Sequence, residues 1–218
     1  MPRLHLKPHV SFAMVDGRAV FLDLRSDRYL ALDGVAAKAF DDLRLSADGR
    51  TSSMLAEPLL ASGLFAIGDQ PASVRPTSAS VPRRSNRDEP GRPLTGDVLA
   101  VLALVVRARC ALRVMPIARV LAGHMGRGTG VPAQPPSAVV ALASRFRRAR
   151  ALVPIKPTCL QDSLALHAWL AAHGAFATLV LGVRLDPFAA HSWVQHGDTV
   201  LNDALDRVAT YTPILAIE

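Results

Sequence analysis

Three residue types that together can cut or transfer an acyl group stand in the C-terminal third of the chain: Cys159, His191 and Asp203. A thiolate attacks a carbonyl carbon, an imidazole moves the proton and a carboxylate orients the imidazole. Cys159 follows Pro157-Thr158 and opens a long helical pattern. That places its sulfur at a helix N-terminus, where unpaired N–H groups and the helix dipole favour thiolate over thiol. His191 begins the strand-like run His191-Ser192-Trp193-Val194-Gln195, and Asp203 ends the run Thr199-Val200-Leu201-Asn202-Asp203. Between them His196-Gly197-Asp198 reads as a three-residue hairpin loop, with glycine available for a positive φ. In that register 195 pairs with 199 and 191 with 203, so His191 and Asp203 stand opposite each other, roughly 5 Å apart at Cβ. A two-residue loop would instead bring Ser192 opposite Asp203, so the triad reading depends on one register.

Other polar groups compete for the same roles. His167, two turns along the Cys159 helix, is about 12 Å away along the axis and reads as an exposed or hydrogen-bonded helix histidine. His196 reads as a solvated turn residue. Asn202 points away from Asp203 in an alternating strand and can orient His191 only if the register slips. Gln161 and Asp162 flank the nucleophile, where an acid can simply favour the dipole. Trp193 shares a face with His191 and is placed to shield the imidazole, to line a peptide site, or just to pack in the core. Cys110, with no histidine nearby in sequence, reads as structural. The Cys159 amide is the natural first oxyanion donor, and the sequence suggests no second.

The elements that must hold these residues read as an α+β protein. Helical patterns cover about residues 95–109, 114–122 and 138–150, with a glycine- and proline-rich loop over 123–137. The Cys159 helix runs to about His173 with Gly174 as its stop, and its apolar positions Leu160, Leu164, Leu166, Trp169 and Leu170 belong in a core. Residues 177–183 read as a central strand, and the His191 and Asp203 strands complete a small antiparallel sheet. A cysteine on a helix packed against a sheet that carries the histidine and the acid is the papain and transglutaminase layout.

Upstream, residues 71–93 hold five prolines among serines and arginines and read as a linker, separating a domain over 1–70 from one over 94–218. The first domain opens with a hairpin, residues 10–15 and 19–24 about the Asp16-Gly17 turn. A third short strand follows over 29–32, then helices over 34–45 and 52–61 with Asp33 and Thr51 as N-caps, then a short apolar tail over 64–67.

The chain has 218 residues, half of them hydrophobic and 20% charged, with a net charge of +7 and a sequence pI of about 10.4. The basic balance suggests an acidic partner. No zinc-finger spacing, aromatic RNA-binding signature or glycine-rich phosphate loop accompanies the arginines, which argues against nucleic acid. Two cysteines write neither a disulfide framework nor a four-ligand metal site, so no metal is expected. The N-terminus lacks the apolar stretch of a signal peptide, and the run over 98–106 is too short to span a bilayer. A cytoplasmic protein with reduced thiols and no transmembrane segment is the expectation.

The segments Pro157-Thr158-Cys159-Leu160, Ser163-Leu164-Ala165-Leu166, Ala190-His191-Ser192-Trp193-Val194 and Val200-Leu201-Asn202-Asp203 resemble the transglutaminase-like cysteine peptidase of lasso-peptide biosynthesis, the B protein. The resemblance covers residues 95–215 and is specific in its C-terminal half. It implies a peptidase that removes the leader of a ribosomally made precursor before a partner, an asparagine-synthetase-like cyclase, closes the macrolactam. In that family's pattern Cys159 is the nucleophile, His191 the general base and acid, and Asp203 the orienting carboxylate. The first domain resembles the winged-helix-like leader-recognition element related to the PQQ-biosynthesis carrier protein. There a leader adds as an extra strand beside the third strand, which here implicates Arg28, Tyr29, Leu30 and Ala31. No GxxxxGK[ST] loop is present, so no cofactor is expected in this chain, and any ATP dependence enters through the cyclase. Two alternatives use the same features: a non-catalytic leader-binding scaffold, and an acyl transferase acting through the same triad.

Overall fold

The computed structural model describes residues 3–46, 49–68, 74–86, 95–126 and 134–218. The chain divides into two compact units, Met1–Thr77 and Ser78–Glu218.

In the first unit the chain order is β1 (Leu4–Leu6), β2 (Val10–Val15), β3 (Arg18–Asp23), β4 (Arg28–Ala31), α1 (Gly34–Leu45), α2 (Ser53–Ala61) and β5 (Phe65–Ile67). The Asp16-Gly17 turn forms as the sequence predicts: both residues take positive φ, 48° and 78°, the requirement of a two-residue hairpin turn whose twist matches its strands. That fixes Val15↔Arg18 and, further along, Phe12↔Phe21. These two rings stack at 5.7 Å, and Phe40 from α1 meets both edge-on at 5.1 and 5.0 Å. Burying three aromatic side chains against one another supplies the apolar area a unit this small needs. The sheet order β2-β3-β4 leaves β4 at an edge.

Two short strands escape the sequence reading. β1 pairs antiparallel with β5, so the apolar tail is a strand whose partner lies some sixty residues earlier. Ser52, not Thr51, caps α2 by accepting from the Leu55 amide at 3.3 Å. Asp33 occupies the N-cap of α1 without a side-chain capping bond.

The second unit continues with β6 (Arg84–Ser85), α3 (Thr95–Val114), α4 (Ile117–Ala122), α5 (Pro136–Ala151), α6 (Cys159–Ala172), β7 (Thr178–Arg184), β8 (Ala189–His196), β9 (Thr199–Val200), α7 (Leu205–Val208) and β10 (Thr212–Ile217). The sheet order is β10-β7-β8-β9-β6, antiparallel except where β6 runs parallel to β9. α6 is buried on nearly every side, from Gln161 through Leu170, because it packs on β8 and also meets α3 and α5. It stops as expected at Gly174, φ +68°. The Ala175 and Gly174 amides reach back to Leu170 and Ala171, the paired bonds of a Schellman cap.

Three expectations for this unit are corrected. α3 is one helix to Val114, and the break falls at Met115-Pro116, where proline cannot extend a helix interior. The C-terminal strand β10, which covers the outer edge of β7, and the short helix α7 are additional. The expected linker over 71–93 lies partly outside the described residues, at 71–73 and 87–93. Its described part is fixed rather than loose. Val74 is buried, the Thr77 amide donates to the Phe12 carbonyl, and β6 joins the sheet. There the Gln195 carboxamide donates to the Ser80 carbonyl at 2.9 Å, and the buried Asn86 donates to Val140 O and Ser144 Oγ. Backbone pairing with a distant strand overrides the polar composition. The loop expected over 123–137 likewise lies partly outside the described residues, at 127–133.

Candidate active site

Cys159 is the first residue of α6, with Thr158 as N-cap, so its sulfur sits where the helix presents unpaired N–H groups. The approach to this position is held by Arg150, which is 8% exposed. Its guanidinium donates to Asp162 Oδ1 at 2.8 Å, to Val153 O at 3.3 Å and to Ile155 O at 2.9 Å. One cation thereby ties the end of α5, the loop before the cysteine and the first turn of α6. Burial raises the Asp162 carboxyl above its ordinary range, and the Arg150 hydrogen bond and charge offset only part of that rise.

His191 and Asp203 meet, but not by the predicted register. The pairs are Gln195↔Val200 and His196↔Thr199, so the loop has two residues, Gly197-Asp198, with Gly197 at φ +57°. His196 therefore lies in the strand, its Nδ1 2.9 Å from Phe176 O, and not in the turn. This is the register that sets Ser192 against Asp203, and a regular ladder would have turned the acid away from the imidazole. Instead β9 ends at Val200, and the chain bends through 201–203. The bend delivers Asp203 Oδ2 to within 2.5 Å of His191 Nε2. Its other oxygen accepts from the Ala204 amide at 2.7 Å and lies 3.7 Å from Arg207 Nε.

The ring's other partner is the Cys159 sulfur, which is hydrogen-bonded to His191. The His191 hydrogen bond is the largest influence on the thiol and lowers its pKa, against burial, with help from the hydroxyl and backbone amide of Ser192. His191 is raised from its ordinary 6.5 to about 9, first by the Asp203 hydrogen bond and then by Cys159. Burial works to raise Asp203, but its bonds from His191 and Ala204 and the charges of His191 and Arg207 outweigh it and leave the carboxyl low. All three directions favour a thiolate–imidazolium pair beside an ionised carboxylate. His191 and Asp203 side chains are each 11% exposed, whereas Cys159 is exposed. The three groups line a cavity of about 250 Å³ together with Pro157, Asp162, Ser192 and Arg207.

The imidazole is also held from behind. Tyr211 and Trp193 flank it with ring centroids at 5.0 and 6.3 Å. Gly182 on β7 is the cross-strand partner of His191. A Cβ there would lie 2.7 Å from the Trp193 indole and 3.0 Å from Tyr211 Cβ, so only glycine leaves room for both rings.

Some expectations change here. Trp193 is 1% exposed and its Nε1 donates to Gln195 Oε1 at 2.7 Å; with no open surface it is not a peptide-contacting residue. Of the two readings of His167, the hydrogen-bonded one holds: it is buried, with its Nδ1 3.0 Å from Nδ1 of the buried His124. Cys110, read as structural, is exposed. Asn202, read as pointing away from Asp203 in an alternating strand, lies in the bend after β9, accepts from Val194 N and donates to Ser163 Oγ. Arg28, Tyr29, Leu30 and Ala31 form edge strand β4, in the other unit. The sequence reading passed over the support given by Ser192, Arg150, Arg207, Tyr211 and Gly182. For Ser192 a signal existed: a hydroxyl next to His191, on the face that a packed helix covers. Among the described residues no group of three or more His, Cys, Asp or Glu could hold a metal ion, and no helix is long and apolar enough to cross a membrane.

A helix-borne cysteine against a sheet-borne histidine and acid has a counterpart among known families. The sequence model of the transglutaminase-like superfamily matches residues 102–216, more than half of the chain. The chain belongs to that superfamily. A partial likeness is to the microcin J25-processing protein McjB of Escherichia coli, 49% identical over 49 residues. That stretch is 22% of this chain and 24% of McjB, so the match spans about a quarter of that relative's length. No solved structure matches the chain.

Proposed function

We propose that this chain is a cysteine peptidase that removes the leader from a lasso-peptide precursor, ahead of macrolactam closure by an asparagine-synthetase-like cyclase. The observation that carries the proposal is the convergence of an accessible sulfur, an imidazole and a carboxylate in one cavity. Membership of the superfamily and the partial likeness to a protein named for microcin J25 processing support it.

The Cys159 thiolate attacks the scissile carbonyl carbon, and the His191 imidazolium gives its proton to the departing amine, leaving a thioester. Neutral His191 then takes a proton from water, whose oxygen attacks the thioester carbonyl and releases the acid and the thiolate. The Cys159 amide, at the first helical position, is the oxyanion donor. Asp203 holds the ring and favours its charged form throughout.

The first unit is the leader-docking module in this reading, a winged-helix-like element that receives the leader as a strand on the outer edge of β4. Main-chain bonds along Arg28, Tyr29, Leu30 and Ala31 supply affinity, and side-chain pockets supply specificity. A cavity of about 280 Å³ lined by Arg18, Ala31, Leu32, Ala37 and Phe40 offers one such pocket. Docking raises the local concentration of the scissile bond, so the catalytic unit need bind it only weakly. No cofactor is assigned to this chain, and any ATP requirement is assigned to the cyclase.

Incubation with the precursor peptide encoded beside the gene tests the proposal by mass spectrometry. The expected product carries one added water across the leader–core bond. Cys159→Ala should abolish it while retaining leader binding, and cleavage by that variant would refute the mechanism.

A further inference from the structure

Asn202 stands where the three bearers of the catalytic groups meet. Beyond Gln195↔Val200 the ladder between β8 and β9 is only half backbone. The Leu201 amide donates to Val194 O at 2.8 Å, whereas the Val194 amide, which would complete the pair, donates to Asn202 Oδ1 at 2.8 Å. A buried N–H must find a partner, and here a carboxamide oxygen stands in for a backbone carbonyl. The main chain at 201–203 is thereby released from the ladder that would have carried Asp203 to the wrong face. The other end of the carboxamide donates to Ser163 Oγ at 2.9 Å. Ser163, fully buried and one turn after Cys159, donates to Ser192 O at 3.1 Å. One side chain thus links the helix holding the sulfur, the strand holding the imidazole and the bend holding the acid.

We infer that Asn202 is a positioning residue: its carboxamide ends the β8–β9 ladder and locks the bend onto α6 through Ser163, so that Asp203 reaches His191 and not the Ser192 face. The inference rests on the triad reading, because what is positioned is Asp203 against His191. Groups that orient a reacting side chain in this way act through its geometry; Asn202 also lines the cavity that holds the three groups.

The test uses the full chain and two readouts. One is the pH dependence of Cys159 alkylation by iodoacetamide, followed by peptide mass spectrometry with the exposed Cys110 as internal reference. The other is kcat and KM on the precursor peptide encoded beside the gene. Asn202→Leu keeps the volume and removes both bonds. It should lower kcat by about ten- to a hundredfold, the range that loss of orienting contacts costs in metal sites, with KM changed less than about threefold, and should move the alkylation midpoint to higher pH. Asn202→Asp keeps an acceptor for the Val194 amide and can accept the Ser163 proton if that hydroxyl turns from Ser192 O, so it should recover most of the lost kcat, while its added negative charge keeps the alkylation midpoint above that of wild type. A wild-type midpoint and kcat in Asn202→Leu would overturn the inference. So would equal losses in both variants with an unmoved midpoint, the mark of simple destabilisation. If Asn202→Leu does not fold, Asn202→Ser, too short to reach Val194 N, is judged by the same criteria. Cys159→Ala separates the two levels: if it cleaves like wild type, the triad reading fails, and if it is dead while Asn202→Leu is normal, only the present inference fails.

Discussion

Asp203→Asn removes a charge while keeping the side chain's shape, and the structure sets the size of the effect. His191 rises from 6.5 to about 9. At about 1.4 kcal/mol for each tenfold change in protonation, the folded site favours the imidazolium by on the order of 3 kcal/mol. The Asp203 hydrogen bond is the largest contributor and Cys159 the second, with burial opposing both. With a neutral amide in place of the carboxylate, the sulfur alone must hold the imidazolium against burial. His191 should fall by at least one pH unit, and by mutual coupling the thiol should rise. The assay is the rate of Cys159 carbamidomethylation from pH 4 to 10, because the thiolate is the reactive species. The wild-type midpoint should lie below that of an ordinary thiol, and the Asp203→Asn midpoint at least one pH unit higher. A fall of about 10³- to 10⁴-fold in kcat/KM should accompany it, as when the orienting carboxylate of a triad is lost. An unshifted midpoint would mean that Asp203 does not hold the imidazolium, and the electrostatic account of the site would fall with it.

The same pair makes stability depend on pH. His191 is raised, so its contribution is complete below about 6.5 and is lost as pH climbs through about 9. Asp203 is lowered, so its contribution is present above the unfolded carboxyl value of about 3.9 and is lost as pH falls through its folded value. The melting-temperature gap between wild type and Asp203→Asn should therefore be widest near pH 5–6 and shrink toward pH 9 in calorimetry; a gap that widens with rising pH would contradict this. Gly182→Ala should destabilise the catalytic unit by about 1–3 kcal/mol through overpacking and lower kcat by displacing Trp193, Tyr211 and the ring they flank. Chemical denaturation and steady-state kinetics report the two effects, and a variant of wild-type stability would show that the β7–β8 contact gives way easily.

What could be read from the sequence depended on how local the determining physics was. Asp16-Gly17 announced its hairpin because both positive φ values are written in residue type. The Cys159 helix announced itself through its apolar positions and its glycine stop. The types and order of the three reactive residues were legible too, but the geometry joining His191 to Asp203 was not. Hairpin register turns on a single residue of loop length, and the bend that restores the contact depends on the Asn202 side chain acting as backbone. β1, β5 and β6 are short and their partners lie far away in sequence, so no periodicity within them marks a strand, and β10 is longer but pairs with β7 across an intervening hairpin and helix. For Trp193 shielding, peptide lining and core packing stayed open, because alternation tells which face a residue takes, not how deeply the neighbouring elements cover it. The room for Trp193 comes from Gly182, on another strand.

The segment that pairs through Arg84–Ser85 alters where the catalytic unit starts. A truncation begun at residue 94, after the apparent low-complexity stretch, would discard Ser80, β6 and Asn86. It would strip a neighbour from the two-residue strand whose end feeds the Asp203 bend, and leave that rim open to adventitious strand pairing. A fragment of the second unit must therefore keep residues from 78 onward, and its seemingly dispensable leading residues are part of that unit's outer seam.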